Sequence, residues 1–185
     1  MKIIWKIIKE SWKVLIIASI LSSIGGFGLK TIQEKLVIFL PLLIALPALN
    51  DMIGDFGTII TAKFTTSLFE GKIKKPLIKS YFVKHLFKDI MPIALFMAVY
   101  ISLLSVLVAL FMGFETNFVF FLKMLLITLV STASLVILIF LVAIIGGYKV
   151  YKNKEDPDDI LIPITTSIAD LGTMIIFSGL IYLLF

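Results

Sequence analysis

The chain has 185 residues, of which 60% are hydrophobic and 16% charged, and its formal net charge is +5. Its mean hydropathy of +1.12 excludes an ordinary soluble globular domain. The sequence contains no cysteine, which excludes disulfides and thiolate metal sites, and no arginine, while its lysines are scattered, so nucleic-acid binding is not expected. The composition predicts an all-α, polytopic membrane protein with a single membrane domain.

The first thirteen residues form a feature of their own. Lys2, Lys6, Lys9 and Lys13 recur at spacings of four, three and four, with isoleucine and tryptophan on the other side. This pattern predicts an amphipathic helix over residues 1–13 that lies on the membrane surface, ahead of a membrane domain over residues 14–185. A simple anchor and a gating element are both compatible with it.

Five apolar segments then approach or exceed the ~18–20 residues that a helix needs to cross hydrocarbon. The first ends in a glycine-rich stretch, and the second contains two prolines and two glycines that predict a bend or a break. An acidic turn, Asp156 to Asp159, opens the fifth. The predicted spans are residues 14–29, 36–69, 90–111, 118–148 and 160–185.

The distribution of lysine predicts the orientation. Five spans place the two termini on opposite sides of the membrane. Fourteen of the seventeen lysines fall on the side of the N-terminus, and only Lys30, Lys35 and Lys123 fall on the other. The positive-inside rule therefore predicts a cytoplasmic N-terminus and an external C-terminus in a multi-pass protein of the cell membrane.

Three aspartates interrupt the apolar spans. Asp51 and Asp55 lie in the second span and Asp170 in the fifth. A carboxylate at membrane depth costs roughly 2.5–3.5 kcal/mol on insertion scales, which several apolar residues must offset. We expect these side chains to face one another, a cation or water.

Asp51 and Asp55 are one helical turn apart and share a face, with Asn50 on a neighbouring stripe. Two carboxylates at this spacing repel each other unless a cation or a proton intervenes. A cation site is the leading interpretation. The alternatives are a lysine partner, for which Lys63 is the nearest in sequence, and protonated side chains that make structural hydrogen bonds.

Asp170 is predicted to lie near the membrane midplane. Thr166 and Thr173 share its helical face at i−4 and i+3. These hard oxygen ligands, with no His or Cys nearby, suit Mg²⁺ or Ca²⁺ better than zinc or copper. Asp156 is predicted to be the N-cap of the fifth helix and Pro157 its first residue. The acidic turn could also concentrate cations near the membrane.

Together the two motifs resemble the MgtE-type magnesium transporter family, and more closely its solute carrier family 41 branch. The resemblance rests on Pro47-Ala48-Leu49, Gly54-x-x-Gly57 and residues 61–73 in the second span, and on residues 156–170 in the fifth. It implies a homodimer in the lipid bilayer with a cation pathway along the subunit interface. Asp170 of each subunit would contribute to a central Mg²⁺ site, with Na⁺ or H⁺ as a possible coupling ion.

The chain also departs from the family pattern. Asp55 stands where that family commonly has Asn, and Asp51 adds a further acid. The metal-binding residues predicted from both motifs are Asp170, Asp51, Asp55, Asn50, Thr166 and Thr173.

The leading hypothesis is a channel or transporter for Mg²⁺ or another divalent cation, and not an enzyme. Paired membrane aspartates could also belong to an intramembrane aspartyl protease, but the Gly-x-Gly-Asp context of such proteases is missing. A third possibility is a non-transporting subunit of a larger complex.

Overall fold

The computed structural model describes residues 2–73 and 77–185, and within them the chain folds into five long helices. The helices are α1 (Lys2–Ile38), α2 (Leu40–Phe69), α3 (Tyr81–Phe111), α4 (Phe118–Lys152) and α5 (Pro157–Leu184), with a 3₁₀ turn at Leu77–Lys79. Each long helix contains a stretch that is long and apolar enough to cross a membrane. The predicted all-α, five-span architecture is confirmed.

The first helix is longer than the sequence predicted. α1 passes through its glycines and ends at Ile38, and Phe39 is the one non-helical residue before α2 begins. The glycines do not end the helix, and Gly25 and Gly28 instead pack against α5. Residues 2–13 are the first turns of the same helix. The side chains of residues 2–11 lie outside those described, so the surface-lying helix at residues 1–13 stays a prediction.

Two other predicted boundaries were wrong. α2 begins at Leu40 instead of Leu36 and runs unbroken through Pro47, because one lost backbone hydrogen bond leaves the neighbouring turns intact. α3 begins at Tyr81, well before the apolar segment predicted from Ile90. Its first turns are amphipathic, and they bury apolar side chains against the bundle while their lysines remain exposed.

The five helices form a layered bundle. α2 and α4 pack together, with α3 against both on one side and α5 against both on the other, while α1 packs mainly on the outer surface of α5. In its most apolar stretch α1 buries only 11% of its residues, against 33–44% in the other four helices. α1 is therefore a peripheral helix whose position depends on its contact with α5.

Glycines bring the helices of this bundle close together. A Cβ atom added at Gly25 of α1 would lie 3.1 Å from the Cα atom of Leu171 in α5. One added at Gly57 of α2 would lie 3.1 Å from the Cβ atom of Thr165. Small residues at helix contacts are typical of membrane bundles, in which packing rather than the hydrophobic effect holds the helices together.

Aromatic side chains and a helix cap organise the ends of the bundle. The Phe39 ring lies 5.6 Å from the Phe120 ring and 4.7 Å from the Phe185 ring, between centroids, which joins the α1–α2 corner to the start of α4 and the C-terminus. At the opposite end Asp156 caps α5, where its side chain accepts a 3.0 Å hydrogen bond from the Asp158 backbone N–H. The predicted start of the fifth helix is confirmed.

Candidate cation site

Asp170 lies where three helices meet. It is half-buried near the middle of α5, roughly 20 Å from either end at ~1.5 Å per residue. The Asn50 side-chain amide of α2 donates a 2.7 Å hydrogen bond to Asp170 Oδ1, and the Ser22 hydroxyl of α1 donates one of 2.7 Å to Oδ2. Each carboxylate oxygen therefore has a neutral donor from a different helix.

The approach of α1 explains why Ser22 reaches this carboxylate. Gly25 lies one turn further along α1, where its missing side chain lets the helix contact the α5 backbone. Ser19 and Ser23, which point elsewhere, donate instead to carbonyls of their own helix. Ser22 was not among the residues predicted for the site. The sequence offered several serines in this span and no means of choosing the one that faces α5.

Asn50 brings a second oxygen to the same place. Its Oδ1 atom is buried and has no hydrogen-bond partner among the described residues. An acceptor without a donor costs free energy when it is buried, unless a water or an ion supplies the missing contact. Asn50 Oδ1 and the Asp170 carboxylate are ligand types that hard divalent cations prefer.

The two threonines predicted on the face of Asp170 differ in their surroundings. Thr166 is half-buried and its hydroxyl donates to the carbonyls of Ile162 and Pro163, at 3.0 and 3.1 Å. Thr173 is fully buried, and its hydroxyl has no partner among the described residues. Neither hydroxyl bonds to Asp170 in the described part of the chain, so their role as ligands stays a prediction.

Asp51 and Asp55 lie on a different surface of α2. Both are exposed and line a cavity of about 410 Å³ between α2 and α3, together with apolar side chains and Tyr100. Their helical positions differ from that of Asn50 by about 100° and 140°, so α2 presents Asn50 to α5 and the two acids to α3. The lysine pairing that the sequence left open does not occur among the side chains that the structure describes.

The three carboxylates therefore do not form one cluster within the chain. Among the described residues no group of three or more His, Cys, Asp or Glu side chains is placed to hold a metal. The structure brings Asp170 together with Asn50 and Ser22, and it leaves Asp51 and Asp55 together in the α2–α3 cavity.

Comparison with known protein families gives a match that covers most of the chain. A family model described as MgtE, divalent cation transporter, matches residues 46–180. The chain belongs to the MgtE family. The match extends from the second turn of α2 to near the end of α5 and includes Asn50, Asp51, Asp55 and Asp170, whereas Ser22 lies outside it. No curated protein and no solved structure matches the chain.

Membership of the MgtE family fixes the class of protein. The family consists of divalent cation transporters, and the five membrane-spanning helices agree with a multi-pass membrane protein of that kind. The polar contacts of Asp170 are therefore found in a protein whose family transports divalent cations.

Proposed function

We propose that this protein transports Mg²⁺ as a homodimer, along a path lined by its intramembrane aspartates, with Asp170 as the central ligand. The observation that carries the proposal is the Asp170 carboxylate at mid-membrane, held by Asn50 and Ser22 and adjoining the unpaired Asn50 Oδ1. These groups offer a cation several acceptor oxygens at a depth where water is scarce.

The choice of Mg²⁺ follows from the ligand types. Carboxylate, amide and hydroxyl oxygens are hard ligands, and the sequence has no cysteine with which to favour a softer metal. Mg²⁺ dehydrates reluctantly and is commonly held by one or two carboxylates plus waters. The Asp170 carboxylate with the neighbouring Asn50 oxygen and several waters would provide such a set of ligands.

The homodimer would also account for the exposed pair of acids on α2. Asp51 and Asp55 are exposed on the protomer surface, in a helix that crosses the membrane. Facing lipid there would cost each carboxylate several kcal/mol, roughly as on insertion scales. A second copy that covers this face would shield these two carboxylates from lipid and leave a hydrated, acidic cavity in which they attract cations.

Several finer features belong to the same proposal. The positive-inside rule predicts a cytoplasmic N-terminus, and the acidic start of α5 would then lie at the cytoplasmic mouth of the path. Coupling to Na⁺ or H⁺, and a closer kinship with the solute carrier family 41 branch, are also proposed from the sequence. The protease alternative is disfavoured because the nearest polar partners of Asp170 are Asn50 and Ser22, whereas that chemistry needs a second carboxyl group.

The test replaces the central carboxylate. Asp170→Asn keeps the shape of the side chain and removes its charge, so we expect Mg²⁺ flux into proteoliposomes to fall to background. Asp89→Asn, at an exposed acid near the start of α3, is the matched control and should retain flux. Gel filtration checks that both variants fold. Unchanged flux in Asp170→Asn would refute the central role of this residue.

A further inference from the structure

A second cavity lies away from the aspartates, between the start of α3 and the middle of α4. Its volume is about 380 Å³, and its lining is almost entirely apolar. Phe87 and Phe140 pack edge to face within it, with ring centroids 5.1 Å apart, and Ile137 and Leu141 extend it along α4. The volume falls within the ~300–1,000 Å³ typical of ligand sites in proteins. None of the residues predicted from the transporter motifs lines this cavity.

Among the described side chains, Lys84 and Lys88 are the only charged ones that line the cavity. Lys84 and Lys88 lie one turn apart on α3, so both amines project on the same side of the helix. Both are exposed, and neither forms an ion pair in the part of the chain that the structure describes. The cavity therefore combines an apolar interior with two uncompensated positive charges.

The two lysines lie at the lysine-rich end of the bundle. Lys84 and Lys88 belong to the first turns of α3. Phe87, which lies between them in sequence, packs on Phe140, and α4 ends on this same side at Lys152, roughly 18 Å beyond Phe140 at ~1.5 Å per residue. The amines and the apolar lining therefore lie side by side, and the flexible lysine stems can carry the amines toward the surface of the bundle.

We propose that this cavity binds an anionic phospholipid. The lipid phosphate lies between the Lys84 and Lys88 amines, and an acyl chain runs along Phe87, Phe140 and Ile137. Basic pockets between membrane helices are suited to anionic headgroups, and the lysine stems can extend along apolar surface while their amines reach the phosphate. A zwitterionic lipid would fill the apolar part but would gain less from the two charges. A free phosphate would contact only the two lysine amines.

The first experiment compares lipids by native mass spectrometry of the purified full-length protein. Phosphatidylglycerol is expected to bind roughly ten to thirty times more tightly than phosphatidylcholine with the same acyl chains, given two lysines near the membrane surface. The double variant Lys84→Gln/Lys88→Gln should lose this preference. The variant Lys149→Gln/Lys152→Gln removes the same charge from the same end of the bundle, outside the cavity, and should keep it. Equal loss in both variants would overturn the proposal.

The second experiment tests the apolar part of the cavity. Ile137→Trp should obstruct the acyl chain and weaken phosphatidylglycerol binding, whereas Ile145→Trp, two turns further along α4 and outside the cavity, should not. Both residues are exposed, at 44% and 57%, so the larger ring should be tolerated. The contrary result would be that inorganic phosphate displaces the lipid while Ile137→Trp still binds phosphatidylglycerol as tightly as the wild type does. The site would then be a simple anion site, and the proposal would fail.

Discussion

At the scale of single residues, the carboxylate of Asp170 is stabilised by neutral donors and not by a cationic side chain. Hydrogen bonds to charged groups contribute about 1.5–3 kcal/mol each, so the contacts from Asn50 and Ser22 offset much of the cost of placing an acid at this depth. A lysine partner would instead have neutralised the charge permanently. Donors without charge hold the carboxylate in place while leaving it able to attract a cation.

Asp55 provides a residue-scale prediction that is independent of Asp170. Asp55→Asn keeps the shape of the side chain and removes a charge from the α2–α3 cavity. We expect the apparent affinity for Mg²⁺ to fall roughly fivefold, equivalent to about 1 kcal/mol, which is the attraction between a carboxylate and a hydrated divalent ion at about 8 Å in water-like surroundings. Concentration-dependent flux in proteoliposomes measures the change.

The same assay contains its own controls. Expression and gel-filtration behaviour of Asp55→Asn should match the wild type, because the side chain is exposed and makes no ion pair with the described lysines. Asp89→Asn removes an acid outside the cavity and should leave the affinity unchanged. A lowered maximal rate with normal affinity would contradict recruitment as the role of Asp55.

At the scale of elements, the contact between α1 and α5 decides whether Ser22 can reach Asp170. A Cβ atom at Gly25 would lie 2.8 Å from the Met174 sulfur and 3.1 Å from the Leu171 Cα atom. The thioether can move aside, but the backbone of α5 cannot do so without shifting the helix. Gly26, the next residue, has nothing within 4 Å of the corresponding position and serves as a natural control.

We therefore predict opposite effects for alanine at these adjacent glycines. Gly25→Ala should lower stability by about 1–3 kcal/mol through overpacking, partly offset by the ~1 kcal/mol that alanine gains over glycine in a helix. Gly26→Ala should be neutral or stabilising. Thermal unfolding of the purified variants in detergent measures both. Equal melting temperatures would show that α1 does not pack on α5 as closely as described.

At the scale of the whole molecule, the distribution of polar groups indicates which surface is covered in the membrane. Asp51 and Asp55 lie on an exposed face of α2, whereas the exposed face of α4 around Ile145 is apolar. An apolar face can contact lipid directly, but a face with two carboxylates needs water or protein against it. This contrast selects the α2 face for the proposed dimer contact.

The dimer prediction can be tested with single cysteines, because the natural chain has none. Ile59→Cys lies next to Asp55 in the cavity and should form cross-linked dimers with a short bismaleimide in membranes. Ile145→Cys, on the apolar face of α4, should remain monomeric under the same treatment. Native mass spectrometry should give twice the 20.7 kDa mass of the chain. A monomer mass, or equal cross-linking of both variants, would contradict the proposed dimer.

The sequence by itself determined the membrane class, the five helices, the cap of α5 and the presence of carboxylates within the apolar spans. These features depend on local properties: the length of an apolar run, the N-cap preference of Asp156, and the position of Asp170 within its segment. Hydropathy was less informative about helix ends. Amphipathic turns extend α3 beyond its apolar run, and glycines in α1 pack against a neighbour instead of ending the helix.

Only the tertiary structure decided which polar residues meet. The pairing of Asp170 with Asn50 and Ser22, and the separation of Asp51 and Asp55 from them, depend on the rotation of each helix about its axis. That rotation is set by close contacts between helices far apart in sequence, such as the contact of Gly25 with the α5 backbone. Periodicity places residues on a common face of one helix, but it cannot show which neighbour that face will meet.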